Sequence, residues 1–158
     1  MTDEYTAWKA SQARPWAESV RKAVCRLRQR EAALEEVAAR YDGLKATRYD
    51  KTGGGACGGD QLAAMVDELD AMRAGWASAL AEWTDEVAAF ELALRRIEPR
   101  YDALLTARYV RALPWAQVAE SMGYDEVYAR GELATAALAA LFDAMPPHLR
   151  ALPPAIED

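Results

Sequence analysis

The sequence predicts an all-α protein, a long antiparallel helical hairpin followed by a C-terminal helix–turn–helix unit. Three observations carry this prediction. Alanine is abundant and β-branched residues are sparse, which favours helix. No stretch alternates apolar and polar residues for long, as a half-buried strand would. Apolar residues instead recur at spacings of three, four and seven along most of the chain.

Residues 1–14 read as an N-terminal arm carrying a short helix over about 3–12. Pro15 suits the first turn of a second helix, where its missing N–H has no partner to lose. That helix runs to about Ala46, with Trp16, Val20, Val24, Leu27, Leu34, Val37, Tyr41 and Leu44 forming its apolar stripe. Residues 52–59 form a Gly-rich loop, because five glycines between Gly53 and Gly59 sustain a helix poorly. Asp60 is placed to cap the next helix. In that helix Leu62, Leu69, Trp76, Trp83, Phe90 and Ile97 recur every seven residues, and Val66, Leu80, Val87 and Leu94 make the companion row. This is a coiled-coil-like seam, with Arg73 its one exception. The two long helices, spanning 15–97, are natural antiparallel partners. A self-associating coiled coil shares the same pattern.

Residues 98–144 change character. Pro99 ends the long helix and starts another through Tyr101, Leu104, Leu105, Tyr109 and Val110. Pro114 opens a short helix holding Trp115 and the pair Val118–Ala119. Gly123 ends it, and Asp125 caps a last helix to about residue 144. Tyr124 is expected to pack inward. Residues 145–158 are a Pro-rich tail expected to fray.

Composition narrows the function. The chain has 158 residues, with 19 Lys and Arg against 25 Asp and Glu, a net charge of −6. That balance argues against indiscriminate coating of nucleic acid but leaves room for local basic surfaces. No apolar run approaches the ~18 residues of a membrane span, so no membrane partner is expected. The N-terminus lacks the layout of a secretion signal. Cys25 and Cys57 are too few for a disulfide scaffold, which places the chain in a reducing cytoplasm. The single histidine, His148, lies in the tail, so zinc-finger, His-relay and di-metal sites are not expected. Carboxylate pairs such as Asp67 with Asp70 read as a solvated face. Gly53–Gly59 lacks the Lys-Ser/Thr ending of a phosphate loop. No catalytic residue, metal or cofactor is expected, and the chain reads as a non-enzyme.

The stretch RYDALLTARYVRALPWAQVAESMGYDEVYARGELATAALAAL resembles sigma-factor region 4 and, more closely, phage transcription regulators of the ArpU/RinA type. The likeness rests on Leu104–Leu105, Arg108–Tyr109–Val110, Trp115, Val118–Ala119, Gly123–Tyr124 and the trailing Ala/Leu run. It is strong over 100–141. More loosely, the long helix, the KATRYD…GGGACGGD loop and the second long helix also match the upstream layout of that group. The resemblance implies a phage- or prophage-encoded DNA-binding regulator acting in the bacterial cytoplasm. Arg130 and Tyr128 would sit near bases, with Arg108, Arg111 and Gln117 on the backbone of duplex DNA. The hairpin would make a homodimer or contact RNA polymerase.

The residues depart from that pattern where bases should be read. Between Asp125 and Glu132 only Arg130 is basic. With Ala129, Leu133 and Ala136 inward, a regular helix turns Val127, Gly131, Ala134 and Leu138 outward, a small apolar face. The densest basic run lies elsewhere, in Arg21, Lys22, Arg26, Arg28 and Arg30, with no acid among residues 21–30. It suits a DNA backbone or an acidic partner. The alternative function is therefore an acidic inhibitor or adaptor of the same fold, binding a host protein of the nucleic-acid machinery or of a defence system.

Overall fold

The computed structural model describes residues 3–50 and 57–150, and the side chains of 3–46 and 60–150. The described residues are helical, with no strand among them. Helix α1 (Glu4–Asp50) and helix α2 (Cys57–Leu94) are the long elements. Helix α3 (Pro99–Leu105) runs into a π turn (Thr106–Val110), and α4 (Trp115–Met122) comes next. The last helix is α5 (Glu126–Tyr128), a second π turn (Ala129–Leu133) and α6 (Ala134–Ala144) without a break. A single 3-10 turn (Pro147–Leu149) closes the described chain.

The expected break before Pro15 is absent, and α1 passes straight through the proline. Burial explains this. Ala10, Ala13, Ala17 and Val20 are enclosed on one continuous stripe across Pro15. Ser11, whose carbonyl loses its usual donor to the proline, is exposed and can be hydrated. The start of α1 is capped by Asp3, whose Oδ1 accepts from Thr6 N at 2.6 Å. At the other end of the hairpin, Cys57, Gly58 and Gly59 belong to α2, so Asp60 lies in its first turn rather than before it. The remainder of the Gly-rich loop, residues 52–56, lies outside the described residues.

Two compact units divide the chain differently from an arm, a hairpin and a helix–turn–helix. One is Met1–Val24 with Thr84–Asp158, and the other is Cys25–Trp83. In the first, Val20, Phe90, Leu104, Leu105, Val118, Leu138 and Leu141 are fully enclosed. Trp16 meets Phe90 edge-on at 5.2 Å, and Phe90 meets Tyr109 at 6.5 Å. The beginning of α1 lies against the end of α6. Trp8 packs on Phe142 at 5.3 Å, and Lys9 Nζ pairs with Asp143 Oδ1 at 2.8 Å. The tail begins ordered, since Met145 is buried and Arg150 donates to the carbonyls of Met145 and Asp143. Residues 151–158 of the tail lie outside the described residues.

In the second unit, Arg26 forms an ion pair with Glu82. A β-carbon placed on Gly75 would stand 3.6 Å from Arg30 Nη1. One partner number falls as the other rises, so the two stretches run antiparallel. The same register puts Val37 level with Leu69, and both are buried.

Candidate nucleic-acid interface

The segment 98–144 is arranged helix, turn, helix. Glu98 precedes Pro99 at the first position of α3, where a proline costs no hydrogen bond. α4 ends at Gly123, whose φ of 73° is the left-handed conformation that a glycine adopts without a Cβ penalty. Tyr124 N then donates to Ala119 O at 3.0 Å, which closes the turn. Asp125 caps the last helix, its Oδ2 accepting from Val127 N at 3.0 Å and Tyr128 N at 3.4 Å. Helix α4 packs against α5 and the π turn after it, and α3 packs against α6.

The π turns set what the last helix presents. The Ala134 amide donates to the Ala129 carbonyl, five residues back. One extra residue in that turn advances the phase of everything after it by about a quarter turn. The buried set therefore changes from Ala129 and Leu133 to Ala134, Ala137, Leu138, Leu141 and Phe142. This corrects the expected outer face. Val127 and Gly131 are exposed, but Ala134 and Leu138 are enclosed, and Ala136, expected inward, is half-buried. From Leu133 onward the helix belongs to the core. Its first turns, Asp125–Tyr128 and Arg130–Glu132, stand in solvent.

Tyr124 is also corrected. It is 40% exposed, and its ring lies 5.3 Å from that of Tyr128. With Gly123 as the turn, its backbone fastens the corner while its side chain points outward beside Tyr128. Arg100 stacks on the Tyr101 ring at 4.8 Å, and both border an open cleft with Tyr128 and Glu132. The Tyr101 hydroxyl, followed by Glu98, holds the Arg100 guanidinium above its ordinary pKa. Spacing did not signal the meeting of Arg100 and Tyr101 with Tyr128 and Glu132, because α3 and the last helix meet only through the tertiary fold.

The predicted contact residues fall in different places. Arg130, at the free end, is exposed, and Tyr128 is 38% exposed. Gln117 is exposed on α4. Arg108 is half-buried, its Nη1 donating to Leu113 O at 3.0 Å and its guanidinium over Trp115 at 4.8 Å. It holds the α3–α4 connection down instead of reaching outward. Arg111 borders a different crevice, between α3 and α4, with Asp102, Thr106, Ser121 and Met122. Of the basic run, Arg21 and Lys22 lie in the first unit and Arg26, Arg28 and Arg30 in the second. Lys22, Arg26, Arg28 and Arg30 are exposed, and Arg21 is half-buried.

Over Tyr124–Glu132, three carboxylates (Asp125, Glu126, Glu132) face one guanidinium (Arg130), a formal net charge of −2. Among the described residues no group of three or more His, Cys, Asp or Glu is placed to hold a metal, and no helix is long and apolar enough to cross a membrane. Comparison of the chain with family models, curated proteins and solved structures finds no match.

Proposed function

We propose that the protein is a non-enzymatic, phage- or prophage-type transcription regulator that engages duplex DNA with the first turns of its last helix. One observation carries this reading. After a left-handed glycine turn, an Asp-capped helix keeps Glu126–Tyr128 and Arg130–Glu132 in solvent while Ala129, Leu133, Ala134, Leu138 and Leu141 anchor it in the core. A helix read in the major groove needs that combination, a free N-terminal end on a rigid base. Arg130 and Tyr128 are the groups offered to base edges. Gln117 and Arg111 are the candidates for backbone contacts. Arg108 acts indirectly, by fixing the segment that leads into α4. The resemblance to sigma-factor region 4 and to ArpU/RinA regulators points the same way, and it implies a bacterial cytoplasm as the place of action.

The test is duplex-DNA binding measured against salt concentration. The regulator binds with a steep salt slope. Arg130→Ala costs ~1–3 kcal/mol and relaxes sequence preference. Lys22→Ala and Arg26→Ala lower the slope without changing preference. Absence of binding to any fragment of the genome that encodes the protein, at low salt, overturns the reading.

A second reading is favoured by the charge and apolar content of the same free end. Its net charge is −2, and Val127 (75% exposed), Tyr124 and Tyr128 lie within it. An acidic rim around exposed aromatic and aliphatic groups suits a basic protein surface, such as the nucleic-acid-binding face of a host protein. Under this reading the fold serves as an inhibitor or adaptor.

A further inference from the structure

The first turns of the last helix carry two exposed positions that the fold does not explain. Val127, at 75%, is the most exposed large hydrophobic residue among those described. Gly131 lies inside the helix, in the second π turn, where glycine is the poorest helix former after proline. Neither conformation nor space within the fold calls for a glycine there. Its φ is not positive, and a Cβ added to it meets no atom within 4 Å.

The two positions share one outward line. Ala129 and Leu133 are buried, and a residue two places before each stands about 200° round the helix, on the far side. Val127 and Gly131 lie four positions apart (131 − 127), a rise of ~6 Å along the axis. That rise covers about two base pairs of duplex DNA at ~3.4 Å each. Arg130 and Tyr128 stand on either side of the line. Asp125 Oδ2 accepts from both Val127 N and Tyr128 N, which fixes the turn that carries them. A valine in a helix keeps essentially one χ1 rotamer, so its methyl groups point in a set direction.

We infer that this line reads thymine, an inference that rests on the DNA-binding reading above. The Val127 methyl groups pack on the C5-methyl of a thymine in the major groove, the one apolar group that the bases present there. The bare backbone at Gly131 lets the helix approach the base edges closely. Arg130, three positions beyond Val127 (130 − 127), takes O6 and N7 of a guanine in a neighbouring pair. With a net charge of −2, Tyr124–Glu132 gains little from phosphates, so contacts to base edges carry its selectivity. The preferred target therefore holds a thymine within about two pairs of a guanine.

The test lets the full-length protein select duplexes from a random-sequence pool. A selected duplex is then remade with each thymine in turn replaced by uracil, which lacks only the C5-methyl. At the thymine that faces Val127, wild-type affinity falls about fourfold, the worth of one buried methyl group. Val127→Ala binds the thymine and uracil duplexes alike at that position. Gly131→Ala binds the selected duplex about tenfold more weakly or worse, because its methyl group holds the helix off the bases. The same variant unfolds at a higher denaturant midpoint, since alanine favours helix and its Cβ meets no atom. A role for Gly131 inside the fold would lower that midpoint instead. The inference is overturned, with DNA binding left standing, by a wild type indifferent to uracil at every position. It is equally overturned by a Val127→Ala variant that keeps the wild-type preference for thymine, or by a Gly131→Ala variant that binds as tightly as the wild type. A wild type that selects no duplex overturns the DNA-binding reading as well, and leaves the exposed line to the basic protein surface of the second reading.

Discussion

Val127 and Leu138 lie eleven positions apart (138 − 127), which is three turns of a regular helix and therefore one face, yet Val127 is 75% exposed and Leu138 is wholly enclosed. The π turn between them, marked by the Ala134 to Ala129 hydrogen bond, separates the two environments.

Truncation of the two side chains should therefore diverge. Leu138→Ala is expected to destabilise the protein by ~2–5 kcal/mol, through lost burial and the cavity left behind. Val127→Ala is expected to stay within ~0.5 kcal/mol of wild type. Chemical denaturation of the two variants checks this. Equal losses would contradict the phase change.

Backbone conformation gives a second pair. Gly123 has a φ of 73°, and a Cβ there meets no atom within 4 Å. Gly123→Ala should thus cost the left-handed penalty alone, ~1–2 kcal/mol. Ala112 is a non-glycine residue at φ 54°, in the connection that Arg108 pins. Ala112→Gly should stabilise by up to ~1 kcal/mol, the relief of that penalty less the added freedom of the unfolded chain. Thermal and denaturant midpoints read both changes.

On the alkaline side, Lys9 and Tyr109 contribute to the pH dependence of stability. The Asp143 carboxylate, bonded to Lys9 Nζ, raises the lysine above its ordinary 10.5. Burial, followed by the nearby Glu18, raises the Tyr109 hydroxyl above 10.0. In both cases the folded state holds its proton longer than the unfolded state. Their contributions are complete below the unfolded values and are lost as pH rises through the folded ones. Stability should therefore fall from about pH 10 upward. Tyr109→Phe removes one of the two titrations and should flatten that fall, as measured by denaturation between about pH 9 and 11. An unchanged slope would show that Tyr109 does not contribute.

The two readings of the free helix end part on its carboxylates. Asp125→Asn keeps a capping side chain while removing its charge. Combined with Glu126→Gln and Glu132→Gln, it takes the net charge of Tyr124–Glu132 from −2 to +1. A DNA-binding regulator should then bind duplex DNA about tenfold tighter or more at low salt. A carboxylate-led protein binder should instead lose its partner and gain no affinity for DNA beyond a weak, preference-free background. Parallel titrations with duplex DNA and with a candidate basic protein domain separate the two.

Local chemistry made much of this fold legible. Gly123 and Asp125 announced the turn and the cap, because a left-handed backbone and two orphan amides each require a particular side chain. Pro99 marked a helix start for the same kind of reason. The heptad rows announced the long second helix, and Val37 and Leu69 show that its seam is used. What remained hidden depends on contacts between distant segments. Pro15 signalled a helix start, but the buried stripe from Ala10 to Val20 outweighed it. The π turns have no residue signature, so faces projected across Ala129–Leu133 rotated out of place. Arg108 reads in the sequence as an outward-reaching cation, whereas Trp115 and the Leu113 carbonyl hold it against the fold. The acidic character of the free end was visible from the start, since it is a property of consecutive residues.

The first unit draws on stretches flanking a 59-residue span, from Cys25 to Trp83 (83 − 24). During synthesis, Trp8 and Trp16 leave the ribosome long before Phe142 and Phe90 exist to cover them. Loop-closure entropy favours the hairpin first, because its helices are neighbours in sequence. The opening helix must therefore wait with Trp8 uncovered until the final helix emerges, even after Phe90 has reached Trp16. A nascent chain stalled before Phe142 leaves Trp8 without its partner ring.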